Sequence, residues 1–282
     1  MLRGPLIRQV LSSQGGGTNI NNLNHSILSR LSVPFPTPEE QRRVAFILGA
    51  YDDLIEVNRR RIALLEALAR RLFEEWFIRF EFPGHESEER LQSPQGAIPA
   101  GWRVSKVRDL VDRQRNGRVY RSTDCQSSGR VIVIDQSSDE MLGYHSNEAD
   151  HRATSSDPIA IFGDHTCKMQ LLISPFSIGA NTIAFKAKSS ANIYYLFALI
   201  RGLTRTTEYK RHWNDLMNNE VVVAPVHLTA AYAGKVRPLF QLQETLQRQD
   251  HNLRKQRDFL LPRLISGELT VGVAGQELEA VA

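Results

Sequence analysis

The chain has 282 residues, 41% of them hydrophobic and 23% charged, which is typical of a soluble protein with about two domains. Its net charge of +4 and pI near 9.2 permit a polyanionic partner without requiring one. Membrane spans, a signal peptide, a disulfide framework and a zinc knuckle are all unsupported, so we expect a cytoplasmic protein with no membrane partner.

The chain begins with an irregular segment, residues 1–36. A glycine-rich loop occupies 15–22, and a short extended piece ending in proline occupies 31–36. Nothing in this segment would close a core. We interpret it as the C-terminal remnant of a domain whose body is absent.

A long helix is predicted over residues 37–82. Thr37 is placed as the N-cap, Pro38 as the first helical residue and Glu40 as the partner in a Thr-x-x-Glu capping box. About 40 residues at 1.5 Å each would form a rod of roughly 60 Å. A Pro-Gly pair ends it, and a polar linker, 83–97, follows.

Two apolar seams with a 3.5-residue period predict that this helix pairs with a second one, at 228–267. The first seam is Val44, Leu48, Tyr51, Ile55, Asn58, Ile62, Leu65, Ala69, Leu72 and Trp76. The second seam is Leu239, Leu242, Leu246, Gln249, Leu253, Gln256 and Leu260. Gly267 ends the second helix, and an aperiodic tail occupies 268–282.

Asn58 and Gln249 are polar residues at equivalent seam positions near the middle of the two rods. If the rods pack antiparallel, a hydrogen bond between these two side chains would fix the register at some cost in stability. The alternative is that both positions simply tolerate polar residues. We favour the register hypothesis.

The region 98–227 changes texture, because short β-rich runs alternate with turn residues. The runs are 131–135, 158–162, 171–176, 181–187 and 220–226, and helices are predicted at 192–202 and 207–217. No glycine-rich phosphate loop occurs. The predicted fold class is α+β: one mixed α/β domain with a curved sheet, flanked by two long antiparallel coiled-coil helices.

Several motifs, taken in order, resemble type I restriction–modification specificity (S) subunits. The residues that carry the resemblance are 34–36 with 40–44, 98–102 with 107–110, 162–166 with 175–176 and 179–180, and 260–269. The resemblance covers nearly the whole chain, and it identifies region 98–227 as a target recognition domain.

The resemblance implies a subunit that reads double-stranded DNA and is not an enzyme. Its helices would hold methylation (M) subunits, and motor-nuclease restriction (R) subunits would join the complex. Catalysis would reside in these partners, and no cofactor is expected. Such subunits usually carry two recognition domains, and here residues 1–36 would be all that is left of the first. The chain would then be a truncated product, or a half subunit that forms a homodimer.

One basic loop is the densest candidate for DNA contact. It contains Arg113, Arg115, Arg118 and Arg121. Asn116-Gly117 would form a turn at its centre, with Tyr120 packed beneath it. Arginine can contact phosphates and base edges, so the loop could enter a groove. The alternative is an ordinary solvated basic loop.

A polar cluster follows the strand predicted at 158–162 and consists of Asp164, His165, Thr166 and Lys168. Short polar side chains at a strand end can contact bases, with Asp164 accepting from cytosine. A structural turn in which Asp164 caps the backbone is an equal alternative, and a catalytic Asp–His pair is a third.

Lys186 and Lys188 alternate with apolar residues, which predicts both on one strand face as phosphate contacts; an ordinary wet face is the alternative. Arg201, Arg205, Lys210 and Arg211 could add to the same positive side. No histidine spacing suggests a metal site.

Two other function classes compete with DNA recognition. A nuclease or other hydrolase using Asp164 and His165 would show turnover by the isolated chain that His165→Ala abolishes. A coiled-coil adaptor with no nucleic-acid role would show no salt-dependent retention on duplex DNA.

Overall fold

The computed structural model describes residues 36–139, 141–206, 211–266 and 268–269. The chain divides into two compact units, residues 1–55 with 252–282 and residues 56–251. Almost all of the segments 1–36 and 268–282 predicted from the sequence lies outside the described residues.

The described part of the chain contains five α-helices and twelve β-strands. The helices are α1 Pro38–Phe73, α2 Val107–Leu110, α3 Ile193–Ile200, α4 Trp213–Asn218 and α5 Val226–Ser266. The strands are β1 Arg90–Ser93, β2 Gly96–Pro99, β3 Arg103–Lys106, β4 Val111–Arg113, β5 Val119–Tyr120, β6 Val131–Ile134, β7 Gly143–His145, β8 Ile159–Gly163, β9 Met169–Leu172, β10 Phe176–Gly179, β11 Thr182–Ala187 and β12 Glu220–Val223. None of the described helices combines the length and the apolar character needed to cross a membrane.

Helix α1 begins with the predicted capping box. The backbone N–H and the hydroxyl of Thr37 donate to Oε2 of Glu40 at 2.8 and 2.9 Å. The Glu40 N–H donates back to Oγ1 of Thr37 at 3.3 Å. These bonds satisfy donors that the first helical turn leaves without partners, which explains why the helix starts here.

In the first unit, the amino-terminal part of α1 packs against the carboxyl-terminal part of α5. Ile47 and Tyr51 form a buried cluster with Leu260 and Leu264. An ion pair of 2.6 Å joins Arg257 to Asp52. The earliest described residues of α1 therefore meet the latest residues of α5, so the helices are antiparallel, as predicted, and here they pair within one chain.

All ten predicted seam positions of α1 are buried or half-buried, so that seam is confirmed. The seam of α5 was correct at five of its seven positions: Leu239, Leu246, Leu253, Gln256 and Leu260 are buried or half-buried. Leu242 and Gln249 are exposed, and the residues that follow them, Gln243 and Asp250, are half-buried and buried.

The predicted pairing of Asn58 with Gln249 is therefore wrong. Asn58 is buried, with 6% of its surface exposed, whereas Gln249 is exposed and its neighbour Asp250 takes the buried position. Hydrophobicity favours Leu242 over Gln243 as a seam position, although Leu242 is 49% exposed. At Leu242 and at Gln249 the predicted seam therefore lies one residue before the more buried position.

The regular part of α1 ends before the Pro83-Gly84 pair that was predicted to break it. A π-helical turn, Glu74–Ile78, buries Trp76 and Phe77 and follows directly. Phe80 then takes a left-handed backbone conformation with φ 61°, which a helix cannot continue through.

Two four-stranded sheets form the centre of the second unit, where a single curved sheet was expected. One has the order β5-β10-β6-β7, with β10 parallel to both β5 and β6. The other has the order β4-β11-β8-β9 and is antiparallel throughout. Two further two-stranded pairs are β1-β2 and β12-β3.

Two predictions in this region need correction. The run 171–176, predicted as one strand, belongs to β9 and β10, because Ser174-Pro175 interrupts it. The helix predicted over 207–217 begins at Trp213 in the described residues, and 207–210 lie outside them.

The two large sheets pack face to face through an aliphatic core. Both sheets contribute to it, with residues such as Ile134 and Ile178 from one and Ile161 and Ala184 from the other. The opposite face of the antiparallel sheet packs against α3, α4 and an aromatic cluster. In that cluster the Tyr232 hydroxyl of α5 donates to the carbonyl of Ala69 in α1 at 3.1 Å. Rigid layers on both sides of the antiparallel sheet therefore fix where its loops emerge.

Candidate nucleic-acid interface

Several loops meet at one end of the two packed sheets. Gly163 at the end of β8 pairs with Thr182 at the start of β11, and Tyr120 at the end of β5 pairs with Gly179. Ile134, the last residue of β6, pairs with Ile178. The segments 135–139, 164–168 and 180–181 continue from the ends of β6, β8 and β10. The 114–118 segment, which connects β4 to β5, joins them because the Asn116 side-chain amide donates to the Thr182 carbonyl at 3.4 Å. Together these four segments form one surface, which we call the loop rim.

Hydrogen bonds tie the loops after β6 and β8 together. Oε1 of Gln136 accepts from the His165 N–H at 3.0 Å, and the Gln136 carbonyl accepts from the Thr166 hydroxyl at 2.7 Å. The Lys168 ammonium donates to the carbonyls of Asp135 and Asp139 at 3.1 and 2.6 Å. Thr166 and Lys168, predicted as DNA contacts, thus build the rim.

Asp164 adopts the structural alternative. Its side chain is only 12% exposed, and its Oδ1 accepts from the Trp213 N–H at 3.0 Å at the start of α4. Its carbonyl accepts from the His212 N–H at 2.8 Å. A carboxylate committed to a helix terminus is poorly placed to accept from cytosine or to act as a base beside His165.

Two further arginines, Arg205 and Arg211, lie beside the rim. Arg211 lies next to His212, and its guanidinium is 3.8 Å from Asp164 while remaining 78% exposed. The Thr206 hydroxyl donates to the His165 carbonyl at 3.5 Å, which places the exposed Arg205 beside the 164–168 loop. The sequence had suggested Arg205 and Arg211 as part of the positive side, together with Lys210 and Arg201. Lys210 lies outside the described residues, and Arg201 contacts Glu66.

The basic loop separates into free and engaged arginines. Arg113, Arg115 and Arg121 are exposed, and their guanidinium groups form no ion pair with any residue that the structure describes. Arg118 pairs with Asp124 at 3.1 Å and lies over the Tyr120 ring at 4.9 Å, so the packing predicted for Tyr120 is present. Of the two arginines in the 114–118 loop, Arg118 is therefore engaged within the protein, and Arg115 remains available to contact DNA.

Lys186 and Lys188 do not join the rim. Lys186 pairs with Asp157, and the Lys188 ammonium donates to the Arg108 carbonyl at 3.1 Å. Both lie toward the far end of β11 from Thr182, at about 3.4 Å per residue roughly 14 Å away for Lys186 and roughly 20 Å for Lys188. Lys188 lies one residue beyond the last strand residue, and its backbone N–H donates to the Leu110 carbonyl at 2.8 Å.

A buried polar cluster behind the basic loop was not predicted. His145 stacks on Tyr120 with ring centroids 4.2 Å apart, and its Nε2 lies 2.9 Å from the Ser177 hydroxyl. Its Nδ1 accepts from the Asn147 N–H at 3.1 Å, which fixes the proton on Nε2. Burial lowers the pKa of His145. These residues lie far apart in sequence, so no local motif signals the cluster.

Known proteins resemble this chain along most of its length. The sequence family described as Type I restriction modification DNA specificity domain matches residues 6–67, partly outside the described residues. Two relatives from Methanocaldococcus jannaschii are named type I restriction enzyme specificity subunits. The MjaIX subunit is 27% identical over 93% of this chain and 66% of its own length. The MjaVIII subunit is 30% identical over 44% of this chain and 29% of its own length. The chain thus spans less than two thirds of these relatives.

One solved structure shares the fold. It is titled a type I restriction-modification system S subunit from M. genitalium, and it covers 91% of this chain and 69% of its own with a TM-score of 0.54. The sequence identity is 18%, so this match concerns the arrangement of helices and sheets.

Proposed function

We propose that this chain, which belongs to the type I restriction–modification specificity subunits, recognises double-stranded DNA through its loop rim and is not itself an enzyme. Its antiparallel helices bind methylation subunits, and restriction subunits join through the resulting complex. Catalysis then takes place in those partners. The domain division 37–82, 83–97, 98–227 and 228–267 remains part of this proposal.

The observation that carries the DNA-binding part is the set of exposed arginines at and beside the rim. Arg115 lies in the 114–118 loop, which connects strands of the two packed sheets, and Arg205 and Arg211 lie between α3 and α4, beside the 164–168 loop. Guanidinium groups neutralise phosphates and can bind guanine through two hydrogen bonds. Charged groups held on rigid elements lose little freedom on binding, which favours specific contact.

Acidic groups near the rim limit the strength of binding by the chain alone. Asp139 is exposed at the rim, and basic and acidic residues nearly balance over 98–227. We expect weak, salt-sensitive binding by the isolated chain and tighter binding once methylation subunits enclose the duplex.

Exposed apolar side chains on the helices support partner docking. In the first unit Phe46 is 79% exposed; in the second, Leu64 and Leu68 of α1 are 69% and 53% exposed. Exposed large apolar residues repeated along a helix are typical of a protein interface. A second copy of the chain is a further proposed partner, and a symmetric methylated DNA site would indicate it.

Arg115→Ala tests the DNA-binding proposal. We expect about a tenfold loss of affinity for a labelled duplex of about 30 base pairs at low salt, since an arginine contact contributes about 1–3 kcal/mol. The slope of log K against log salt, which is negative, should become less steep by about 1. Fluorescence anisotropy of the full chain measures both.

Arg59→Ala is the matched control, because Arg59 is exposed on α1 with no ion pair to a described residue and carries the same charge. It should bind as the unmodified chain does. Equal losses in the two variants would reduce the effect to net charge, and absence of salt-dependent binding by the unmodified chain would favour the adaptor alternative. Methylome sequencing after co-expression with a cognate methylation subunit would then identify the site.

A further inference from the structure

The 114–118 loop passes so close to Asp150 that only glycine fits at its centre. A Cβ atom on Gly117 would overlap the Asp150 carboxylate and its Cβ. The backbone N–H of Arg118 donates to Oδ1 of Asp150 at 3.2 Å. The carboxylate thus occupies the space that a side chain at 117 would need, and it anchors the next residue of the loop.

Asp150 is itself fixed to the sheet. Its backbone N–H donates to the Ser177 hydroxyl oxygen at 3.2 Å, and Ser177 is fully buried in β10. The same hydroxyl lies 2.9 Å from Nε2 of His145. Hydrogen bonds therefore connect the loop, through Asp150, to a core strand.

Arg118 closes the loop from the other side. Its guanidinium lies over Tyr120, which stacks on His145, and it pairs with Asp124. Arg118 is thus held at both its backbone and its side chain. Arg115, three residues earlier, is free to extend from the loop so constrained.

We propose that Gly117 and Asp150 are positioning residues for duplex binding, which hold the 114–118 loop in the path that directs Arg115 to DNA. This inference rests on the proposed DNA-recognition function. Asp150 would assist binding to a polyanion even though its own charge repels one.

That opposition gives a direct test. On charge alone, Asp150→Ala and Asp150→Asn should both strengthen duplex binding, because each removes a negative charge. If Asp150 positions the loop, Asp150→Ala loses the acceptor for the Arg118 N–H and should weaken binding about threefold to tenfold. Asp150→Asn keeps an oxygen acceptor and should bind as well as the unmodified chain or better.

A double-mutant cycle tests whether the effect passes through Arg115. Gly117→Ala should weaken binding about tenfold. It should also make the slope of log K against log salt less steep by about 1, as Arg115→Ala does. In the Arg115→Ala background, Gly117→Ala should have almost no further effect on affinity. Gly234→Ala, on α5 with no atom within 4 Å of the added methyl, is the matched control and should bind normally.

The outcomes separate this inference from the proposed function. If the unmodified chain does not bind duplex DNA, the proposed function fails. If Arg115→Ala weakens binding but Asp150→Ala strengthens it, or if the losses from Gly117→Ala and Arg115→Ala simply add, only the positioning role is overturned. Circular dichroism should show the fold retained, and the Asp150 pair decides the question if Gly117→Ala does not fold.

Discussion

At the scale of single residues, buried polar side chains fix the loops that surround the proposed DNA-binding surface. Asp164 holds the start of α4, and the half-buried Lys168 joins its own loop to the 135–139 loop by donating to two carbonyls there. His145 and Ser177 support the basic loop from behind. Each of these groups is paired inside the protein, so its substitution should affect the shape of the surface more than its charge.

His145 should make stability depend on pH. Burial, opposed by Asp150 and reinforced by Arg118, lowers its pKa below the ordinary 6.5, and burial also lowers the pKa of His151. In the unfolded chain both rings take up protons near pH 6.5. The unfolded state then binds more protons, so the stability present above pH 6.5 is lost as the pH falls through the folded pKa.

Urea unfolding between pH 7.5 and pH 5 measures this effect. We expect the free energy of unfolding to fall with pH in that window, and His145→Gln to show a shallower fall because one of the two imidazoles with a lowered pKa is gone. Identical slopes in both proteins would show that His145 protonates as readily in the folded state as in the unfolded one.

At the scale of elements, the buried seam of α1 contains one polar residue whose predicted role has changed. Asn58 is buried, but Gln249 is exposed and cannot fix the register as expected. A buried amide costs free energy that an apolar side chain of similar size does not.

We therefore still expect Asn58→Leu to stabilise the chain, by about 1 kcal/mol, because it buries apolar surface. Thermal unfolding measures the change, and Gln249→Leu is the contrast, since an exposed site should gain little. A lower melting temperature for Asn58→Leu would show that the amide makes a bond worth more than its desolvation costs.

At the scale of the whole molecule, the proposed function requires partner subunits on the helices. Leu64 is 69% exposed on α1, outside the buried seam, so Leu64→Asp should leave the fold unchanged while placing a charge on the proposed docking surface. We expect at least a tenfold weaker association with a methylation subunit in a co-purification assay, because a desolvated unpaired charge is costly.

Leu91→Asp provides the control, since Leu91 is 53% exposed and belongs to the β1-β2 hairpin, not to either long helix. It should co-purify normally. Normal co-purification of Leu64→Asp would remove this part of α1 from the docking surface.

The sequence alone determined the features that repeat along the chain or depend on neighbours within one helical turn. The cap at Thr37 and Glu40 and the seam of α1 could be predicted because local chemistry decides them. Pattern was less reliable for α5, where Leu242 and Gln243 could each continue the period and only packing chose between them.

The candidate site was decided by the tertiary structure. The sequence selected the basic loop and the polar cluster at 164–168, but it could not tell which of these polar groups would be used inside the fold. At the far end of β11, Lys186 pairs with Asp157 and Lys188 donates to the Arg108 carbonyl. Asp164 accepts from the backbone at the start of α4, and Arg115 remains exposed. The physical reason is that a polar side chain near a loop satisfies its hydrogen bonds with whatever the fold brings within reach, and that depends on residues distant in sequence.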